Sequence, residues 1–338
     1  MEIKHNLSSK SYNSFGIDSP IITMIEINDK KELFLLKDVL QNQSIKVLGG
    51  GSNILLTSKL EAPILHVNNQ GIEIVKDAET YVLVRFEAGE VWTDAVSWAV
   101  DNGYGGIENL ALIPGRCGAA PMQNIGAYGI EIKDVLHTVT AYERESGLEY
   151  ILHNSECHFG YRSSHFKTKW KDKFIITSIV LKLTKDGYHK LNTSYGAINQ
   201  SLMTKGITEP SISNVMKVVT EIRQAKLPDP KQIGNAGSFF KNPIVSKATY
   251  ERLILEFPDM PSYPIDESMT KIPAAWLIDQ CGWKGKVIGK TGTYKNQALV
   301  IVNHGDANGQ DIYDLSQKIL ESVQSKYNVT LEREVNIW

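Results

Sequence analysis

Cysteine is scarce in this chain. The three residues Cys117, Cys157 and Cys281 are an odd count without framework spacing, which excludes a disulfide scaffold. Long apolar runs are missing too: no stretch reaches the roughly 18 residues a membrane helix needs. The N-terminal segment MEIKHNLSSKSYNSFGIDSP has no basic region followed by an apolar core, so it does not read as a signal peptide. Charge of one sign is not in excess. With 36 basic and 38 acidic residues the net charge is −2, which gives neither a nucleic-acid footprint nor an acidic disordered arm. Internal repeats and low-complexity segments are lacking. A cytoplasmic protein with reduced thiols is therefore expected, with no nucleic-acid or membrane partner, and a monomer is compatible with the sequence.

What is present suffices for several cores. The 338 residues are 42% hydrophobic and 22% charged, an ordinary globular balance over a length that suits about two to three domains. Up to about Val67 the strand-like runs IITMIEI, IKVLGGGSNILL and APILHV enclose DKKELFLLKDVLQNQ, which has helical spacing. From Gly71 to about Thr184 the runs IEIVK, YVLVRFEAG, VTAYERE and FIITSIVLKLT read as strands. One helix intervenes, VWTDAVSWAVDNG, with Gly103 as its stop. The helical SISNVMKVVTEIRQAK leads into KLPDPKQ, where Pro228 and Pro230 mark a boundary. A smaller α+β segment follows, and VTLEREVNIW returns to a strand-like pattern.

Four constellations could carry chemistry. LGGGSNILL sets Gly49, Gly50 and Gly51 after a strand, with Ser52 and Asn53 as further donors. Such a turn lets backbone N–H groups approach a phosphate, although a plain tight turn explains the triplet equally well. It is not the G-x-G-x-x-G of a Rossmann domain. ENLALIPGRCGAAPMQNIGAYGIEI is too broken by glycine and proline for a helix and too apolar for a solvated loop. A buried loop needs partners for its backbone groups, and a flavin nucleotide would provide them. In CHFGYRSSHFK, Tyr161 and Arg162 adjoin a glycine; a guanidinium matches a carboxylate, yet such a pair is more often a surface ion-pair site. In KLPDPKQIGNAGSFFKNP, Ser238 follows a glycine turn and is open to three roles: nucleophile, phosphate ligand or proton donor. No G-x-S-x-G and no His-Asp pair support a hydrolase. GKVIGKT is one residue short of a P-loop, and His153, Cys157, His158 and His165 match no zinc spacing, so no metal is expected.

Taken in order, NSFGID, LGGGSNILL, NLALIPG, QNIGAYG, FGYRSS, KLPDPKQIGNAGSFFKNP, WLIDQCG, QALVIVN and LEREVNI resemble the UDP-N-acetylenolpyruvoylglucosamine reductase family, in its longer type I form, over essentially the whole chain. The resemblance implies an α+β fold: a two-part FAD-binding domain of the vanillyl-alcohol-oxidase (PCMH) type, followed by an α+β substrate-binding domain. The expected limits are 1–68 and 69–227 for the two FAD subdomains, 228–328 for the substrate domain and 329–338 for a returning C-terminal strand. It implies FAD held by Gly49, Gly50, Gly51, Ser52 and Asn53, by the loop with Ile113, Pro114, Gly115, Gln123, Asn124, Gly126, Ala127 and Tyr128, and by Arg223. NADPH is the implied hydride donor. A UDP-sugar nucleotide would meet Tyr161, Tyr195, Lys226, Asn242, Tyr263, Lys271 and Gln297. Ser238 would protonate the substrate carbon, with Arg162 and Glu334 stabilising the enol-like intermediate.

The sequence departs from the family at Ala119 and Ala120, where hydroxyl residues are common, at Tyr294, where histidine is frequent, and at Asn336, where an arginine is usual. Two other readings compete. One is a flavin oxidase or dehydrogenase of the same superfamily acting on another substrate; such enzymes often attach FAD covalently through His or Cys, and Cys117 beside the flavin loop is the candidate. The other is a sugar-nucleotide binding protein without catalysis, which would be colourless when purified.

Overall fold

A computed structural model describes residues 1–338. The chain forms two compact units, one of Met1–Leu7, Ile21–Gly50 and Glu61–Arg223, the other of Ser8–Pro20, Gly51–Leu60 and Gln224–Trp338. The stretches Ser8–Pro20 and Gly51–Leu60 thus cluster with the C-terminal segment, although in sequence they fall within 1–68.

The first unit holds two sheets. The smaller has the order Glu2–Ser8, Pro20–Ile27, Ile64–Val67, Lys46–Leu48, with its last three strands parallel. Parallel strands need crossover connections, and the one from Pro20–Ile27 to Lys46–Leu48, which flank Ile64–Val67 on either side, is the segment read as one helix, DKKELFLLKDVLQNQ. It forms two short helices, Glu32–Leu35 and Lys37–Asn42, broken at Leu36 (φ −98°, ψ 6°). Leu33, Leu36 and Leu40 are buried on both sides of the break, whereas Phe34 and Leu35 stay exposed. The break therefore leaves the buried stripe continuous through three leucines of a run too apolar to hide all its members.

The larger sheet is antiparallel, in the order Glu149–His153, Leu136–Glu143, Phe174–Thr184, Tyr81–Glu87, Ile72–Asp77. The central strand Phe174–Thr184 is buried at nearly every position from Ile175 to Leu183, as expected for a strand covered on both faces. Ile176, Ile179, Leu181 and Leu183 join one core with Trp92, Ala95, Val96 and Ala99 of the helix Trp92–Asp101 and with Val215, Val218 and Val219 of the helix Ile212–Lys226. Ile175 and Tyr142 pack instead with Ile25, Ile27, Leu33, Leu36 and Leu40. The small β-α-β layer is fixed to the large sheet in this way.

In the second unit a four-stranded antiparallel sheet runs Gly234–Ser238, Gln297–Asn303, Thr291–Tyr294, Val287–Ile288. The helix Gly309–Tyr327 starts at a capping box, in which Asn308 accepts from Asp311 N–H (2.9 Å) and Asp311 from Asn308 N–H (2.9 Å). It ends at Asn328 in the left-handed conformation. A second, three-stranded sheet has the order Ile244–Ser246, Met269–Lys271, Tyr263–Pro264. The C-terminal residues, read as one strand, divide their pairing. Arg333 bridges Phe240, while Asn336–Ile337 lies parallel to Ile54–Leu55. No helix is long and apolar enough to cross a membrane.

Candidate cofactor and active site

In the first unit, two segments distant in sequence meet. Gly49 and Gly50 follow the strand Lys46–Leu48 and lie against the loop at Gly115–Ala119; a Cβ on Gly50 would sit 3.2 Å from Gly115 Cα. At Gly50 main chain thus closely approaches main chain, an approach that a side chain would crowd. Arg116, which the sequence reading passed over, sits against both glycines and donates from Nη1 to the Gly89 carbonyl. The loop meets part of its own demand for partners. Cys117 N–H donates to the Glu90 carbonyl (2.9 Å), Gly118 N–H to Ala88 (2.9 Å) and Trp92 N–H to Gly115 (3.0 Å).

The loop then winds through the 3-10 turns Cys117–Ala119 and Pro121–Gln123 into a ribbon of Gly126–Ala127 and Ile130–Glu131. Asn124 is fully buried with φ +47°. Its Nδ2 donates to Glu131 Oε2 and the Gly160 carbonyl, both at 3.0 Å, and its Oδ1 accepts from Lys133 N–H (3.2 Å). The Asn124 side chain thus ties the loop together. Ile113, Ala127 and Tyr128 pack on the edge of the larger core.

Arg162 stands at the tip of a tight turn in which Gly160 and Ser163 exchange backbone hydrogen bonds (3.0 and 3.2 Å). His158 and His165 stack 4.1 Å apart across its ends. The guanidinium donates through Nη2 to the Gly126 carbonyl (2.7 Å) and through Nη1 to Asn124 (3.4 Å), and the Tyr161 ring lies 5.8 Å away. Tyr128 and Tyr195 stand edge to face at 6.4 Å. Burial lifts the Tyr128 phenol above its ordinary value, with Arg223 opposing and Tyr195 adding. Burial likewise pulls the Arg223 guanidinium down; the Tyr128 phenol opposes this and the Arg162 charge adds to it. Arg223 Nε is buried without a hydrogen-bond partner. Tyr128, Arg162, Tyr195 and Arg223, from four segments, therefore form one cluster. Two guanidiniums in a shielded setting with a donor still open suit an anion. The backbone face at Gly49, Gly50 and Gly115, the aromatic pair and this basic pair together fit a flavin nucleotide. Cys117 does not fit covalent attachment, because it is fully buried and burial drives its thiol far above the ordinary range.

In the second unit Ser238 is presented by a strand rather than by a simple turn. Gly234–Ser238 pairs with Gln297–Asn303, with Asn235 opposite Val302 and Ser238 opposite Val300. Three steps on one strand against two on the other make a β-bulge at Ala236–Gly237, and such bulges re-aim side chains. Gly237 takes φ +67°, and its N–H donates to Asn235 Oδ1 (2.9 Å). Asn235 N–H in turn donates to the Ser14 carbonyl (3.0 Å), which gives the NSFGID segment a role as a floor for this strand. Beyond the bulge, Glu334 N–H donates to the Phe239 carbonyl (2.8 Å) and Lys241 N–H to Glu332 (2.9 Å). Glu334 is 9% exposed and stands beside the strand that carries Ser238.

Asn53 links these parts: its Nδ2 donates to the Glu334 carbonyl (3.3 Å), and its own carbonyl accepts from Asn336 N–H (3.1 Å) and Nδ2 (2.9 Å). Asn336 thus acts on the backbone of the glycine turn. Gly51 and Ser52 contact Ser14, whose N–H and Oγ donate to their carbonyls at 3.1 and 3.3 Å. Tyr263 and Lys271 are partners across two strands, with the ammonium 5.9 Å from the ring. Asn242 Oδ1 accepts from Ala274 N–H (2.9 Å) at the start of the helix Ala274–Gln280. Gln297 Oε1 accepts from Leu299 N–H (3.3 Å). Lys226 ends its helix in solvent.

Residues 36–148 match the FAD binding domain family, and residues 229–338 match the C-terminal domain of UDP-N-acetylenolpyruvoylglucosamine reductase. The UDP-N-acetylenolpyruvoylglucosamine reductase of Flavobacterium johnsoniae is 47% identical over 100% of both chains. That of Pseudomonas aeruginosa is 43% identical over 100% of this chain and 99% of its own. The crystal structure of the Thermus caldophilus enzyme superposes with a TM-score of 0.68 over 100% of this chain and 99% of its own; at 23% identity it supports the fold. The expected fold class, a FAD-binding domain followed by the reductase C-terminal domain, is the one found. With full-length identities of this order, the chain belongs to the UDP-N-acetylenolpyruvoylglucosamine reductase family of FAD-binding oxidoreductases.

Proposed function

We propose that the protein reduces UDP-N-acetylglucosamine enolpyruvate to UDP-N-acetylmuramate with NADPH, in the cytoplasm, as a step of peptidoglycan precursor synthesis. The full-length relationship supports the substrate class. The structural observation that carries the chemistry is the bulge at Ala236–Gly237, which re-aims Ser238 on a strand hydrogen-bonded to the segment of Glu334.

Gly49, Gly50, Gly51, Ser52, Asn53, the loop from Ile113 to Tyr128 and Arg223 would hold FAD, largely through main chain at Gly50 and Gly115. FAD held there would supply hydride chemistry, with NADPH as the proposed source of the hydride. The protein's own groups do the rest. Arg162, held by the carbonyls of Gly126 and Asn124, is a fixed cation for the charge that develops on the substrate carboxylate, and such preorganised charge lowers the barrier most where water is excluded. Glu334 assists at the same stage. Ser238 Oγ then gives its proton to the substrate carbon. A hydroxyl is a weak acid in water, but towards a carbanion-like centre at fixed distance it is competent. Tyr161, Tyr195, Lys226, Asn242, Tyr263, Lys271 and Gln297 are proposed to bind the sugar nucleotide, the lysines by neutralising diphosphate charge.

The test separates the two half-reactions. Under anaerobic conditions NADPH should bleach the flavin, and the enolpyruvyl sugar nucleotide should restore its colour. Reduction without reoxidation by that substrate refutes the assignment. In Ser238→Ala the reoxidation should fall by about 10²–10⁴ while bleaching by NADPH stays within about twofold. Equal retention of both rates would reduce Ser238 to a structural residue.

A further inference from the structure

Asn109 lies in the turn Glu108–Leu110 and is completely buried. It has no place in the proton, charge or cofactor roles above. Its Nδ2 donates to two carbonyls from separate segments, Tyr128 (3.0 Å) and Asn192 (2.8 Å). Its Oδ1 is equally buried and has no hydrogen-bond partner. The orientation of the amide is fixed by this set: rotating it would aim the oxygen at two acceptors, so the two carbonyls hold the nitrogen between them. Leaving a buried acceptor unmatched is unfavourable. The arrangement persists because the double donation ties the turn Glu108–Leu110 to two separate segments at once.

Those segments are the corner of the flavin loop and the strap that carries Tyr195. Tyr128 has φ +50° and Gly129 φ +82°. Asn192 lies directly over this corner, and its Nδ2 donates to the Gly129 carbonyl (3.2 Å). A Cβ on Gly129 would come within 2.7 Å of Asn192 Nδ2 and 3.3 Å of Tyr195 Cβ, so the strap and the corner touch. Three residues beyond Asn192, the Tyr195 ring meets Tyr128 edge to face. At the strap's start His189 Nδ1 is hydrogen-bonded to Thr184 Oγ1 (2.8 Å). Between these ends the strap has no regular secondary structure; Leu191 packs on the larger core, and the Asn109 amide adds a hydrogen-bonded tie to the interior.

We infer that Asn109 is a positioning residue that latches the strap 189–196 onto the Tyr128–Gly129 corner, so that Tyr195 and Tyr128 are set as one unit. This rests on the reading of Tyr195 as a residue that meets the sugar nucleotide only for its kinetic consequence; the latch itself is a property of the ligand-free chain. Loss of the Nδ2 donor frees the strap and leaves the sheets behind it in place.

The experiment is amide hydrogen exchange on the purified protein, read on residues 128–129 and 189–196, in wild type and Asn109→Asp. The substitution keeps the shape and turns the donor towards the two carbonyls into an acceptor. Exchange at both segments should rise together by about tenfold or more, with the strands Tyr81–Glu87 and Phe174–Thr184 unchanged. Unchanged exchange at the strap overturns the latch. Should Asn109→Asp fail to fold, the wild type alone decides: its two Asn109 side-chain amide protons must be protected to the same degree as the strap amides, and rapid exchange of either overturns the inference. A kinetic reading separates the latch from the role of Tyr195. KM for the enolpyruvyl sugar nucleotide should rise about tenfold in Asn109→Asp. A loosened strap with unchanged KM upholds the latch and sinks the role given to Tyr195.

Discussion

Gly51 and Gly237 share a backbone conformation, φ +63° and +67°, and differ in their surroundings. A Cβ on Gly51 would lie 1.9 Å from the Tyr12 carbonyl oxygen and 2.8 Å from its carbon, whereas one on Gly237 would meet nothing within 4 Å. Replacing each by alanine separates conformational cost from collision. At Gly237 the left-handed backbone costs about 1–2 kcal/mol, offset by about 0.4–1 kcal/mol from the stiffened unfolded chain, for a net loss of about 1 kcal/mol. Gly51→Ala carries the same loss and must also move main chain by about 1 Å in a close-packed setting, an overpacking cost of about 1–3 kcal/mol. The movement breaks the hydrogen bond from Ser14 N–H to the Gly51 carbonyl (3.1 Å), worth about 1 kcal/mol. The total is about 4 kcal/mol, roughly 3 more than for Gly237→Ala. Both residues belong to the second unit, so urea unfolding of the flavin-free protein, followed by tryptophan fluorescence, compares them on one transition and without ligand linkage. A difference below about 1 kcal/mol would refute the collision as the reason for glycine at position 51.

Flavin released by acid precipitation should be recovered quantitatively in the supernatant, and native protein should shield Cys117 and Cys157 from thiol reagents at pH 8; both are fully buried, and burial pushes the Cys157 thiol up to about 12. Flavin that stays with the pellet would revive covalent attachment. Burial works to raise the Glu26 carboxyl, but the His66 hydrogen bond (3.0 Å) and the Lys4 charge outweigh it and hold the group below its ordinary 4.5. The stability this gives is fully present above that value and is lost as pH falls through the lowered folded one. Melting temperatures of wild type and Glu26→Gln should therefore differ at neutral pH, and the gap should close as pH falls below the ordinary carboxylate value; a constant gap would refute the linkage.

The sequence made some of this legible because the deciding physics is local. The alternation in YVLVRFEAG and the apolar run FIITSIVLKLT became paired neighbours in one antiparallel sheet, and the helix ending near Gly103 runs Trp92–Asp101. The single helix expected over DKKELFLLKDVLQNQ is broken at Leu36, although the buried stripe of Leu33, Leu36 and Leu40 keeps helical spacing through the break. At the candidate site the types of residue were visible, but their mutual support was not. GNAGS suggested a turn; the bulge depends on the register with Gln297–Asn303, which no local pattern announces. Asn109 and Arg116 stood inside the quoted loop, yet their hydrogen bonds reach Asn192 and Gly89, and such long-range partners leave no periodic mark. Asn336, noted as the loss of an arginine, turned out to hold the Asn53 carbonyl.

The second unit is assembled from Ser8–Pro20, Gly51–Leu60 and Gln224–Trp338, and this interleaving has a consequence for synthesis. At roughly 5–20 residues per second, the stretch between residues 60 and 224 takes about 8–33 s to emerge. Throughout that interval Ser14, Phe15 and the strand Ile54–Leu55 lack their partners Asn235, Asn303 and Asn336–Ile337. The first unit has all its sequence in hand by residue 223, so it can condense on the nascent chain while two early segments of the second unit still lack their partners. Chaperone dependence during translation should therefore concentrate on those two short segments, and a mutation that makes either one stickier would harm yield more than it harms the finished protein.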